Sequence, residues 1–69
     1  MQIVEIGAFI KQRRELLYIS QQDLAEMARV AIKTIHLVEQ GTGNPSMVTL
    51  NKIAEILGLE IRLQVKRLE

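Results

Sequence analysis

Cysteine is absent from the 69 residues, so neither a disulfide framework nor a thiolate metal site can staple this chain. That absence fits a reducing compartment. Tryptophan is absent too, and Phe9 and Tyr18 are the only aromatic residues. The core must therefore be aliphatic, built from Ile, Leu, Val and Ala, a composition that suits helices packed on helices. Histidine occurs once, at His36, and a lone histidine cannot build a metal site without partners. No apolar run approaches the ~18 residues of a membrane span, and the N-terminus lacks a signal-peptide layout. The expectation is a soluble, cytoplasmic protein. A glycine-rich phosphate loop and paired carboxylates are missing as well, so an enzyme is the easiest class to set aside, and no cofactor is expected.

Charge of one sign is also scarce. The net charge is +1, so overall basicity does not advertise nucleic acid. Polyanion binding would have to come from a local patch. Lys11, Arg13 and Arg14 form one basic cluster, and Arg62, Lys66 and Arg67 a second, although by themselves both are read first as solvated faces.

What is present is a set of short helical patterns. Hydrophobic residues make up 48% of the chain, ample for one small core at a length where burial barely outweighs chain entropy. In "IGAFIKQRRELL", Ile6, Phe9, Ile10, Arg13 or Arg14, and Leu17 share one side at helical spacing, which predicts a first helix over roughly 4–17. Ser20 starts a second helix, with Asp23 three residues on as a capping-box-like pair. Leu24, Ala25 and Ala28 supply its inner face. The pattern breaks near Arg29 and Val30. A third short helix carries Thr34, Ile35 and Val38 until Gly41 stops it. The stretch "GTGNP" is a loop by composition. Ser46 then caps a fourth helix whose Leu50, Ile53, Ala54 and Leu57 follow i, i+3, i+4, i+7, with Gly58 in the C-terminal cap position.

After Gly58 the period changes. Ile61, Leu63 and Val65 alternate with Arg62, Gln64 and Lys66, a strand pattern. A lone strand leaves its backbone N–H and C=O groups without ladder partners. Two sources could pair it: the N-terminal stretch "QIVE", or the same strand of a second copy. The second is favoured, because it buries both apolar faces around a two-fold axis. The expected division is thus 1–59 as one helical domain and 60–69 as a strand and tail for dimerisation.

Two short helices joined by a tight turn, as in "SQQDLAEMARVAIKTIHLVEQG", form a helix-turn-helix, in which the second helix can enter the DNA major groove while the first braces it. Four landmarks occur in order: "IG..I...R" from Ile6, "SQ.DLA" from Ser20, "V...TI..VE.G" from Val30, and "NPS..TL.KIAE.LGL" from Asn44. Together they resemble the lambda-repressor-like, Cro or XRE family over residues 6–58. The family fold implied is mainly α, with four to five short helices, here followed by a C-terminal β-strand pairing across a dimer. The strand tail looks like the HipB-type subgroup of antitoxin-like repressors.

The resemblance implies roles by position. Gln21 matches a phosphate-contacting glutamine, a placement that a helix N-terminus also favours. Ala31, Ile32, Lys33 and Leu37 match outward positions of the recognition helix. Lys33 can donate to guanine or to a phosphate, whereas Ile32 and Leu37 could meet only thymine methyls or, alternatively, a protein surface. Thr34 is either a phosphate contact or a packed helix residue, and His36 stands at the groove edge. Gln40, Thr42, Gly43 and Asn44 line the following loop. Arg14 and Glu39 match a structural ion pair. Three departures from the family pattern stand out: Tyr18 and Arg29 replace turn glycines, and Ala31 replaces a Ser or Thr cap. The partners implied are double-stranded DNA as a palindromic operator, a second copy of the chain, and, through the HipB-type likeness, a HipA-like kinase as toxin; no membrane is involved. The function expected is a repressor at the nucleoid. The competing reading is a protein-interaction module that no longer reads DNA.

Overall fold

A computed structural model describes residues 2–67. Four helices follow in order: α1 (Ile3–Leu16), α2 (Gln21–Ala28), α3 (Ile32–Gln40) and α4 (Met47–Ile56). Their starts follow local chemistry. The Ser20 hydroxyl accepts from the Asp23 N–H at 3.0 Å, and the Ser46 hydroxyl accepts from the Thr49 N–H at 3.1 Å. Each satisfies one of the donors that a helix start leaves without an intrahelical partner. At α3 the cap position holds Ala31, whose side chain accepts nothing.

All four helices end the same way. A residue two or three beyond the helix end donates its N–H back to a carbonyl five residues earlier: Ile19 to Arg14, Val30 to Ala25, Thr42 to Leu37 and Leu59 to Ala54. This closure needs one residue in the left-handed region. Gly41 and Gly58 supply it at φ 75° and 70°, but Tyr18 and Arg29 are driven there at φ 58° and 59°. A side chain there costs roughly 1–2 kcal/mol. Both chain reversals keep the geometry that a glycine would have made easy.

The core is aliphatic throughout: Ile10, Leu24, Ala25, Ala28, Ile35, Val38, Leu50, Ile53 and Leu57 form one buried cluster. Every inward position expected on α2 and α4 is buried. On α1 the inward face turns instead through Ile6, Gly7, Ile10 and Arg14. Phe9 is 56% exposed, and Leu17 lies past the helix end, so neither contributes as its spacing suggested. Gly7 explains the rotation. A Cβ there would collide with the Val38 carbonyl oxygen, so only glycine lets α1 lie directly on α3.

The strand expected from Ile61, Leu63 and Val65 does not form within the chain. Among the described residues no strand is present, and 59–67 run irregularly past the end of α4. The reason is supply of partners. Residues 3–5 of "QIVE" are the first turn of α1, with the Gln2 N–H bonded to the Glu5 carboxylate at 3.3 Å, so the only intrachain candidate has its backbone engaged. The radius of gyration, 12.3 Å, exceeds the ~11 Å of a compact chain this long, as an outstretched tail requires.

Candidate nucleic-acid interface

Three residues, 29–31, join α2 to α3. The turn places Ile35 and Val38 of α3 against the core, each 1% exposed. At 3.6 residues per turn the opposite face of α3 must then point outward. Ala31, Ile32, Lys33, His36 and Gln40 all lie there and are exposed. Thr34 and Leu37 are half-buried and border the loop with Thr42, Gly43 and Asn44. Leu37 lies beneath Gly43, whose Cβ, if present, would stand 3.5 Å from that of Leu37. Of the two large apolar residues matched to the reading face, Ile32 is thus the more open, at 37%.

A buried electrostatic knot fixes the angle between α1, α2 and α3. The Arg14 Nε donates to Glu39 Oε2 at 2.6 Å, and its Nη2 donates to Oε1 at 3.0 Å, a bidentate pair. The third guanidinium nitrogen, Nη1, donates to the Ile19 carbonyl at 2.9 Å, holding the turn after α1. Gln21 completes the knot by donating its side-chain amide to Glu39 Oε1 at 3.0 Å. Donating to the Glu39 carboxylate pushes the Arg14 pKa upward against the opposing effect of burial. The guanidinium therefore stays charged across the accessible pH range.

Gln21 consequently has a structural partner in addition to the role its position implies. An amide NH2 has two hydrogens, so the bond to Glu39 orients the side chain and leaves one for an outside acceptor. Beside it lies a polar depression lined by Lys11, Gln21, His36, Glu39 and Gln40. Lys11 is the residue this face gains that positional matching did not single out. Its signal was only membership in a basic cluster, because the packing of α1 across α3 decides which cluster member reaches the α2–α3 face. Arg13 goes the other way, donating Nε to the Leu57 carbonyl at 2.9 Å and tying α1 to the end of α4.

The loop after α3 is equally ordered by local bonds. The Thr42 N–H donates to the Leu37 carbonyl at 2.9 Å, and the Ser46 hydroxyl reaches the Thr49 hydroxyl at 3.0 Å. Thr34, Thr42, Asn44, Ser46 and Thr49, together with Leu37, Val38 and Pro45, border one shallow depression of mixed polarity. The outward face of α3 thus lies between two depressions, a mainly polar one on the α2 side and one of mixed polarity on the α4 side. Ile61, Leu63 and Val65 lie apart from this face, with Leu63 and Val65 each 97% exposed. No group of three or more His, Asp or Glu residues that could hold a metal occurs among the described residues. Nor is any helix among them long and apolar enough to cross a membrane.

Comparison with known proteins agrees with this geometry. A "Putative HTH-type transcriptional regulatory protein" of Methanococcus maripaludis strain C5 is 44% identical over 55 residues, covering 80% of this chain and 17% of that protein. This chain therefore spans about a sixth of the length of such relatives. An "Uncharacterized HTH-type transcriptional regulator" of Methanothermobacter thermautotrophicus is 37% identical over 51 residues, 74% of each chain. Among solved structures, the restriction-modification controller protein C.AhdI from Aeromonas hydrophila superposes with a TM-score of 0.79 at 29% identity, over 84% of this chain and 88% of that one. The helix-turn-helix family, HTH_3, matches residues 10–64, and this chain belongs to it.

Proposed function

We propose that this chain is a DNA-binding transcription regulator that lays α3 in the major groove of a palindromic site as a dimer. The observation that carries the reading is the exposed face of α3, with Lys33 at its centre, flanked by the polar groups of Lys11 and Gln21 on one side and of Thr42, Asn44 and Ser46 on the other, and held from behind by α2 and the Arg14–Glu39–Gln21 knot. A helix this narrow fits the groove. Lys33 is the base-reading or phosphate-binding cation, Ile32 meets a thymine methyl, and His36 and Gln40 stand at the groove edge. Gln21 and Lys11 on one side, and Thr42, Asn44 and Ser46 on the other, hold the two backbones. No catalytic step belongs to this role.

Two copies joined through their tails would set two α3 helices about 34 Å apart, one turn of DNA. Binding there would occlude a promoter, a repressor's action, in the cytoplasm at the nucleoid. A HipA-like toxin partner follows only from the tail's likeness to HipB-type proteins, and the reading of a DNA-binding dimer stands without it.

The competing reading, an interaction module that no longer engages DNA, draws on Ile32 and the +1 net charge. A salt titration separates the two. Wild-type protein on a palindromic fragment from its own upstream region should lose affinity steeply as salt rises, and Lys33→Ala should lose discrimination between that fragment and a scrambled one. Weak binding that is equal on both fragments for both proteins would decide for the interaction module.

A further inference from the structure

An apolar groove of about 500 Å³ opens between α1, α4 and the start of the tail, away from the α3 face. Phe9, Ile10, Met47, Leu50, Leu59 and Ile61 line it, and Phe9 and Met47 are more than half exposed. Ile61 leans into the groove of its own chain. In an extended segment Leu63 and Val65 share that face with Ile61 but lie further along, where both are 97% exposed. The tail therefore presents an apolar edge longer than its own groove can cover. Its backbone groups also lack ladder partners among the described residues.

The geometry points to a second copy of this chain as occupant: the two tails pair antiparallel about Leu63, and Val65 of each copy closes the groove of the other beside Ile61. This rests on the dimer proposed above and names its register and its seat. Side-chain alternation admits only registers that oppose apolar to apolar residues, and charge selects among them. With Leu63 opposite its own copy, Ile61 faces Val65, Arg62 faces Gln64, and Glu60 faces Lys66. Opposite charges meet twice and like charges never. Sliding by one step in either direction brings Arg62 onto Arg62, or Arg62 onto Lys66. A register centred on Ile61 also pairs opposite charges, Glu60 with Arg62, but it sets Val65 against Leu57, which is buried at the end of α4, and leaves the outer half of the tail uncovered. Directly opposed side chains in such a pair stand about 5 Å apart, so Val65 of the second copy falls over the Phe9–Met47 opening that Ile61 borders.

The chain has no cysteine, so single introduced thiols report the register without interference. Leu63→Cys in the full chain, gently oxidised, should run as a cross-linked dimer, because a residue on the two-fold axis meets itself within disulfide reach. Ile61→Cys should cross-link far less. Lys66→Glu and Glu60→Lys should each weaken dimerisation, roughly tenfold by sedimentation or dilution sizing, and combining them should restore it. Phe9→Ser, at an exposed position, should weaken it while leaving the helical circular dichroism intact. Cross-linking at residue 61 in place of 63, or no effect of Lys66→Glu, would overturn the register while leaving the dimer standing. Wild-type chain that sizes as a monomer at all concentrations would overturn the dimer itself.

Discussion

Gly7 shows how one missing methyl group sets a helix packing. Its Cα faces the Val38 carbonyl so closely that any side chain must push α1 off α3. Gly7→Ala adds helix propensity, yet it should destabilise the chain by about 3 kcal/mol, because the obstacle is backbone and cannot rotate away. Denaturant melting would check this, and an unchanged midpoint would refute the close approach. The same scale governs the buried pair. Glu39→Leu leaves Arg14 and Gln21 without their shared acceptor in a site where the Arg14 side chain is only 11% exposed. A loss of about 3 kcal/mol is expected, and adding Arg14→Leu should recover part of it, since the penalty belongs to the stranded charge. Arg29 is the opposite case. It occupies a left-handed position that glycine tolerates, so Arg29→Gly should stabilise by about 0.5 kcal/mol after the entropy of glycine is deducted. The midpoint should rise by a few degrees.

At the scale of elements, α3 depends on its surroundings more than on itself. It is nine residues long, lacks a side-chain cap and has no acidic residue in its first turn. An isolated helix of that length is marginal in water. Ile35 and Val38 hold it by burial, and the closure through Gly41 ends it. Ala31→Ser should therefore stabilise the chain by about 1 kcal/mol by giving the first turn an acceptor. Chemical denaturation checks this, and a variant no more stable than wild type would mean the turn cannot accept a cap. For the proposed reading face, Lys33→Ala should lower the salt slope of DNA affinity by about one unit if the amine sits on a phosphate. A base contact would instead appear as relaxed specificity at one base pair.

For the whole molecule, charge gives little guidance and shape gives much. A net charge of +1 predicts modest non-specific attraction to DNA, so in the proposed dimer affinity would come from two α3 helices acting together. Removing residues 60–69 should leave the helical core folded, because every buried side chain among the described residues lies at or before Leu57. It should also lower affinity for a palindromic site about a hundredfold, measured by fluorescence anisotropy. Equal affinity of the two proteins would show that the tail takes no part in pairing.

The helices were legible because their information is local. Ser20, Ser46, Gly41 and Gly58 mark ends through short-range bonds, and Leu50, Ile53, Ala54 and Leu57 mark a face through period alone. The outward residues of α3, Leu37 apart, were legible through their family positions, as were Arg14 and Glu39. Three things depended on non-local contacts. Phe9 turned outward because Gly7 sets the angle of α1 on α3. Leu37 slipped beneath the Gly43 loop, and Lys11 came beside Gln21 and His36 only once α1 crossed α3. The tail lies at the limit of both sources. Alternation marks Ile61, Leu63 and Val65 as an edge that wants a neighbour, and the fold, by winding the N-terminal stretch into α1, removes the only neighbour within the chain. Periodicity specifies which side of a segment is apolar, but which surface meets that side is decided only when the segments are packed.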